Sequence, residues 1–191
     1  MNPQIVRYDV LKMDLKSTKQ QYAVLALSDE KLLEEIFSLL SISVNPLANP
    51  YSDDGSYAAS ISRLPIGLRA MAATHHLDIS LTLDGLGWHF LNFGESSFVR
   101  ETEAGLRELG LREMADWFAE AYAIVNPLRP EIDVCGDYDD CLTQHGHMDR
   151  IDELTRQARP KQAKGSKGPI YGAWITYTRA HPENVFGKQI L

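Results

Sequence analysis

The fold is decided by residues 97–125, SFVRETEAGLRELGLREMADWFAEAYAIV, in which two helical patterns meet at one glycine. Ser97 is a suitable N-cap for a first helix over Phe98–Leu109, and Gly110 supplies the left-handed residue that ends it. A second helix follows over Leu111–Val125 and stops at an Asn-Pro pair. Its apolar residues recur every three or four positions, and its charged residues occupy the other face. The stretch therefore predicts an αα-hairpin packed on a core.

Further helical patterns flank this hairpin on both sides. They predict helices over about Asp29–Leu40 with Ser28 as N-cap, from Pro65 through Ile79, over about Asp149–Ala158 and over Pro169–Ala180. After the helix that runs through Ile79, two glycines in Leu83–Gly87 predict a sharp turn before the aromatic run Trp88–Gly94. Residues 4–27 are ambiguous between a strand pair and a frayed helix. We therefore predict an all-α, single-domain helical bundle with an ambiguous N-terminal segment.

The composition is that of an ordinary folded protein. Hydrophobic residues make up 44% of the chain and charged residues 24%, so a compact core is expected. The first twelve residues lack the continuous apolar run of a secretory signal, and no apolar run is long enough to span a bilayer. The two cysteines suit a reducing compartment. We predict a cytoplasmic protein with no membrane association.

The net charge of −7 is distributed unevenly. Residues 131–153 contain eight acidic residues against one arginine, whereas residues 154–191 carry a net charge of +6. An acidic body argues against direct nucleic-acid binding, because neutralising phosphates requires clustered Lys and Arg. The basic residues between 156 and 167 lie among Pro, Gly and Ser, which is typical of a solvated loop.

Several stretches resemble a known family. They are Leu64-Pro65 with the helix that follows, LDGLGWHFLN at 83–92, EAGLRELG at 103–110 and YTRAHPE at 177–183. Over roughly residues 64–186 they resemble the DNA-mimic-protein-like family of small helical bacterial proteins. The family's usual turn is Asn-Gly-Gly followed by aromatics and an Asn, whereas here Leu86 separates the two glycines while Phe90 and Asn92 are kept.

The resemblance implies a helical fold and carries no enzyme activity with it. The family name comes from a member thought to present DNA-like negative charge to DNA-binding proteins. We accordingly divide the chain into an N-terminal extension with the first helix, residues 1–60, and a DNA-mimic-like helical domain, residues 61–191. The two parts are expected to form one compact unit.

Carboxylates on the second hairpin helix and in the segment after it are the candidate partner-binding residues. They are Glu113, Asp116, Glu120, Asp137, Asp139 and Asp140. The three on the helix are spaced by three and four residues and therefore share one face, about 5–6 Å apart. Duplex DNA presents a charge about every 3.4 Å along each strand, so carboxylate rows can present a comparable field to a basic groove. The Glu103–Arg107 pair, four residues apart, predicts local neutralisation of part of the helical charge.

Cysteines and histidines form a second candidate cluster. Cys135, Cys141, His145 and His147 lie within thirteen residues. Their Cys-x5-Cys-x3-His-x-His spacing departs from the short Cys-x2–4-Cys of zinc knuckles, so we expect no bound metal.

Common catalytic motifs are missing from the sequence, which has no nucleophile elbow, phosphate-binding loop, zinc-protease motif or dinucleotide fingerprint. We therefore assign no catalytic residue. The pairs His75-His76 and Trp88-His89, with Asp84 nearby in sequence, are an alternative imidazole site, but histidines on apolar helix faces are expected to be hydrogen-bonded core residues. Aromatic side chains are expected to line the core, namely Trp88, Phe90, Phe93, Trp117, Phe118 and Tyr122.

These observations predict a non-enzymatic, acidic protein-binding domain that uses no cofactor. Its expected partner is a basic protein, of the DNA-binding kind if the chain is a DNA mimic. An immunity or antitoxin protein that neutralises a toxin is the first alternative, since it would use the same charge. A metalloprotein or enzyme using Cys135, Cys141, His145 and His147 is the second. Nothing in the sequence excludes a homodimer.

Overall fold

The computed structural model describes residues 24–135, 137–159 and 168–187, without the side chains of Asp133, Cys135 and Pro169. The described helices are α1 Asp29–Ser43, α2 Ser56–Ile61, α3 Ile66–Leu83, α4 Leu86–Phe93, α5 Ser96–Glu108, α6 Arg112–Val125, α7 Arg129–Cys135, α8 Tyr138–Gln144, α9 Met148–Ala158, α10 Pro169–Ala180 and α11 Pro182–Phe186, with a 3-10 turn at Asn126–Leu128. These residues form no strand, so the all-α prediction is confirmed. The ambiguous N-terminal segment lies almost entirely outside the described residues.

Helix α3 is the centre of the bundle. Its buried residues point in every direction around the helix axis, as expected for a helix surrounded by protein. Helices α5 and α4 pack on it from one part of the chain, and α10 and α11 pack on it from the C-terminal part. Among the described residues, no helix has the length and apolar character needed to cross a bilayer.

The crossing of α3 and α5 is close because Gly105 has no side chain. A Cβ atom at Gly105 would lie 3.0 Å from the carbonyl oxygen of Ala70. Two buried hydroxyls fix the neighbouring contacts: the Thr102 Oγ1 donates to the Ala73 carbonyl at 3.0 Å, and the Trp174 Nε1 donates to the Thr74 Oγ1 at 3.0 Å. A larger residue at position 105 would therefore push the two helices apart.

Helices α5 and α6 form the predicted hairpin. Gly110 has φ of 80°, which confirms the left-handed stop between them. The predicted N-cap of α5 was wrong: the helix begins at Ser96, and the carboxylate of Glu95 accepts from the amides of Ser97 (2.8 Å) and Phe98 (2.9 Å). A two-oxygen carboxylate can satisfy both free amides at once, which one serine hydroxyl cannot.

Ser28 caps α1 as predicted, with its Oγ 3.4 Å from the amide nitrogen of Lys31. That helix continues to Ser43, three residues beyond the predicted end.

Short helices replace two segments for which the sequence predicted a turn or loop. The aromatic run after the glycine turn forms α4, and Phe90 and Phe93 are fully or almost fully buried. The ring centroid of Phe90 lies 4.8 Å from that of Phe118 on α6, so the three predicted phenylalanines lie in the core, whereas Trp88, Trp117 and Tyr122 are half-buried against it. The acidic segment after α6 forms α7 and α8 rather than a loop.

Candidate functional site

The predicted row of carboxylates on α6, here called the helix row, comprises Glu113, Asp116 and Glu120. All three side chains are exposed, as the spacing predicted. Asp116 accepts from the guanidinium of Arg107 at 2.9 Å, and the same guanidinium contacts Glu103 at 2.9 Å, confirming the predicted pair on α5. Arg107 reaches α6 because the turn at Gly110 folds the two helices side by side.

A second arginine neutralises the other end of the helix row. Arg150 on α9 donates to both carboxylate oxygens of Glu120 at 2.7 Å, and these hydrogen bonds lower the pKa of Glu120. Glu113 has no ion pair among the described residues. Two of the three carboxylates in the row are therefore already matched by internal cations.

The three predicted aspartates beyond α6 lie at the start of α8. Asp137 is the N-cap of this helix and accepts from the amide of Asp140 at 3.0 Å. Asp139 and Asp140 occupy the first turn, where the helix dipole favours negative charge. All three are exposed. The helix thus holds the carboxylates in place without neutralising them with a cation.

Two aspartates that sequence reasoning missed join these three. The pKa of Asp139 is raised, first by partial burial and then by the charges of Asp137, Asp84, Asp152 and Asp140. Asp84 lies at the end of α3 and Asp152 on α9, and both are exposed. We call these five aspartates the acidic cluster. None of them forms an ion pair within the described part of the chain.

The sequence offered one signal for Asp152, the charge of −7 over residues 131–153, and none for Asp84, which is fifty residues or more from the others. A described cation close to Asp84 is directed at the backbone. Arg159 donates to the carbonyl oxygens of Leu81 and Asp84 at the end of α3 rather than to a carboxylate. It therefore caps the helix.

The histidines of the alternative imidazole site are buried to different degrees: His89 is fully buried, whereas His75 and His76 are half-buried. Burial lowers the pKa of His76 to about 4 and that of His89 to about 3, so both are neutral near physiological pH. His89 Nδ1 is hydrogen-bonded to Ser80 Oγ at 2.9 Å, and His75 Nδ1 to the Tyr171 hydroxyl at 3.0 Å. The expectation of a hydrogen-bonded core residue is met at His89, whereas His75 is hydrogen-bonded but only half-buried.

One buried carboxylate was also missed by sequence reasoning. Asp78 on α3 is 5% exposed, and burial raises its pKa to about 6, partly offset by a hydrogen bond from the amide of Ile170. A Cβ atom at Gly168 would lie 2.6 Å from the Asp78 Oδ1, so the glycine allows this carboxylate to reach the start of α10. Asp78 therefore joins α3 to α10 and has a structural role.

The predicted Cys/His group is rearranged in the structure. Cys141 on α8 and His145 just after it lie one helical turn apart, and Glu131 on α7 completes a group whose donor atoms all lie within 4.8 Å of one another. His147 is not in this group. The side chain of Cys135 lies outside the described residues.

One comparison with known proteins gives a match. A model of the DMP19-like protein family matches residues 62–180. No curated protein and no solved structure matches the chain significantly. The matched residues run from just before α3 to the end of α10 and include the helix row and all of the acidic cluster. Since this match covers more than half of the sequence, the chain belongs to the DMP19-like protein family.

Proposed function

We propose that this chain is a non-enzymatic binding protein whose acidic cluster occupies the basic groove of a nucleic-acid-binding protein in place of DNA. The observation that carries the proposal is the convergence of five carboxylates from α3, α8 and α9, none of them in an ion pair within the described residues. After partial burial, the negative charges of the other four aspartates raise the pKa of Asp139, as expected for a dense anionic patch. The resemblance to the DNA-mimic-protein-like family is the reason for proposing that this surface imitates DNA.

The absence of ion pairs from the cluster within the described residues matters for such a surface. A carboxylate that is already held by an arginine must give up that contact before a partner's Lys or Arg can use it, whereas a cluster carboxylate has no ion pair with a described residue to give up. Exposed like charges also steer an oppositely charged partner during encounter. The acidic cluster is therefore the stronger part of the proposed surface.

The helix row completes the surface on α6. Glu113 contributes directly, because its carboxylate has no ion pair among the described residues, and Asp116 and Glu120 contribute by exchanging Arg107 and Arg150 for groups of the partner. The proposed partner-binding residues are therefore the predicted set Glu113, Asp116, Glu120, Asp137, Asp139 and Asp140, extended by Asp84 and Asp152.

The test begins with capture of partners from a nuclease-treated lysate of the native host and elution with concentrated salt. The eluted protein is purified and titrated against the wild type at two salt concentrations, with and without duplex DNA. It is then titrated against a cluster variant, Asp84→Lys with Asp139→Lys and Asp152→Lys. A matched control, Glu30→Lys with Glu34→Lys and Glu183→Lys, changes the net charge equally at exposed positions on α1 and α11.

We expect affinity to fall with salt, DNA to compete, and the cluster variant to bind at least about 100-fold more weakly at low salt, since like charges would face each other across the interface. The control should lose less than about fivefold through its long-range charge alone. Affinity indifferent to both salt and the cluster substitutions would contradict the proposal. A partner that binds strongly but is not displaced by DNA would instead support the toxin-neutralising alternative.

A further inference from the structure

The group formed by Glu131, Cys141 and His145 has no part in the proposed acidic surface. Glu131 lies in the first turn of α7, and Cys141 and His145 are four residues apart at the end of α8. Residues four apart on a helix share a face, and α7 packs against α8. The chain thus brings a carboxylate, a thiol and an imidazole together from two adjacent helices.

The distances within the group suit one small ion. His145 Nε2 lies 3.0 Å from each carboxylate oxygen of Glu131, and the donor atoms of all three residues lie within 4.8 Å of one another. Zinc bound tetrahedrally at its usual bond lengths holds neighbouring N, O and S ligands about 3.3–3.6 Å apart. Because no two of the three donors are more than 4.8 Å apart, side-chain adjustments that change these separations by up to about 1.5 Å would bring them to the zinc values.

The chemistry of the donors selects the kind of ion. A thiolate with an imidazole is the ligand set of zinc and its borderline neighbours, whereas magnesium and calcium require oxygen donors. An ordinary ion pair between Glu131 and His145 would not need a sulfur atom beside it. The acidic surroundings also favour a cation, because residues 131–153 carry a net charge of −7.

The three proposed ligands differ in solvent exposure, as in a metal site that is open to solvent on one side. The side chain of Cys141 is 2% exposed, whereas Glu131 and His145 are exposed to solvent. The metal would therefore be held from the protein side by sulfur and could take water as its fourth ligand.

We propose that Glu131, Cys141 and His145 form a zinc-binding site with three protein ligands. On binding, the Cys141 thiol releases one proton and its thiolate binds the metal through Sγ, while His145 binds as the neutral imidazole through Nε2. This replaces the sequence-based expectation of no metal, and it also replaces the predicted Cys/His quartet by a group that includes a carboxylate. The site is independent of the proposed function, and it requires no contribution from Cys135 or His147.

The experiment uses the full chain, reduced by a phosphine and freed of metal by chelator dialysis. Zinc is titrated against a chromophoric chelator, and cobalt is added separately, because a thiolate bound to cobalt gives a charge-transfer band in the near ultraviolet. We expect one equivalent of zinc and a cobalt band. The exposed substitutions His145→Gln and Glu131→Gln should each weaken zinc binding by at least about 100-fold, exceeding the effect usual for residues that only orient a ligand.

Cys141→Ala should abolish the cobalt band, and His147→Gln is the matched control that should leave zinc affinity within about threefold of the wild type. Far-ultraviolet circular dichroism checks that the variants fold; because position 141 is buried, the two exposed substitutions decide the question if Cys141→Ala does not fold. The proposal is overturned by absence of the cobalt band in the wild type. It is equally overturned by zinc affinity unchanged in His145→Gln and Glu131→Gln, or reduced as strongly by His147→Gln.

Discussion

The helix row and the acidic cluster are both patches of exposed carboxylates, yet they differ in how the fold treats their charge. In the row, Arg107 and Arg150 hold Asp116 and Glu120 in ion pairs. In the cluster, no cation within the described residues pairs with any of the five aspartates. The row is regular in sequence but largely neutralised, whereas the cluster comes from three parts of the chain and has no ion pair with a described residue.

The difference shows that spacing along a helix does not determine the electrostatic character of its face. The cations that neutralise the row come from neighbouring helices, 9 residues away for Arg107 and 30 residues away for Arg150. The pKa values respond with opposite signs: hydrogen bonds from Arg150 lower that of Glu120, whereas burial and neighbouring aspartates raise that of Asp139. Each of the following predictions changes one side of this contrast.

The largest effect on the chain itself is expected at the turn that brings Arg107 to the helix row. Gly110→Val should destabilise the fold by about 1 kcal/mol or more, because a β-branched residue is strained at positive φ. At this chain length the melting temperature should fall by about 2–4 °C for each kcal/mol. A Cβ atom at Gly110 would meet nothing within 4 Å, so the loss reports backbone strain alone. Thermal melting followed by circular dichroism measures it.

Gly172 provides the matched control for this substitution. A Cβ atom there would also meet nothing within 4 Å, but Gly172 lies inside α10 and has no positive φ. Gly172→Ala should leave stability unchanged or raise it, since alanine is the better helix former. Equal melting temperatures for Gly110→Val and the wild type would show that the turn does not need a left-handed residue.

Removing the two neutralising arginines should make the helix row resemble the acidic cluster. Arg107→Gln with Arg150→Gln changes the net charge from −7 to −9 and frees Asp116 and Glu120. We expect affinity for the captured basic partner to rise by about three- to tenfold at low salt and by less at high salt. Isothermal titration calorimetry at both salt concentrations measures the change.

The control for this double variant is a second double variant with the same net charge of −9. Arg63→Gln with Arg100→Gln removes two exposed arginines for which the described residues include no ion pair. If the two double variants strengthen binding equally, the gain reflects total charge, and the helix row is not part of the binding surface.

The smallest effects are two opposite responses of stability to pH. Asp139 has a raised pKa in the folded protein, so the stability linked to its protonation is present in acid and lost as the pH rises through that pKa. Asp139→Asn should therefore melt slightly above the wild type at neutral pH, and this gain should disappear in acid. Because the side chain is exposed and screened, we expect about 1–2 °C.

Glu120 should behave in the opposite way. Its pKa is lowered in the folded protein, so its contribution is present above the unfolded pKa and is lost as the pH falls through the folded value. Glu120→Gln should melt slightly below the wild type at neutral pH and converge with it in acid. Melting curves from acid to neutral pH at low salt compare the two variants. Shifts of the same sign would remove the contrast between row and cluster.

Much of the fold could be predicted from the sequence because the long helices have strong apolar periodicity. The hairpin, its positive-φ Gly110 and the end of α6 at an Asn-Pro pair were all expected. The short helices α4, α7 and α8 were not, because glycines and aspartates at their ends resemble turn signals and their few residues show no clear period. Local patterns thus located the long elements and missed those that tertiary packing stabilises.

The candidate surfaces were predictable only where their residues are neighbours in sequence. Helical spacing found the row and the aspartates of α8, but Asp84 enters the cluster from α3 and Arg150 reaches Glu120 from α9. Glu131 was likewise absent from the predicted Cys/His quartet, since it precedes Cys141 by ten residues on a different helix. Contacts between helices decide these sites, and a single sequence gives no direct signal for them.

The central position of α3 also affects how the chain folds during synthesis. Helix α5 can cover one side of α3 soon after α3 is synthesised. The contacts of Thr74, His75 and Asp78 with α10 form only later, because α10 begins 86 residues after α3 ends. At ribosomal rates of about 5–20 residues per second, this interval is roughly 4–17 s. During that time this side of α3, which is covered in the finished fold, stays exposed to the cell, so chaperone binding should be concentrated there until the C-terminal helices emerge.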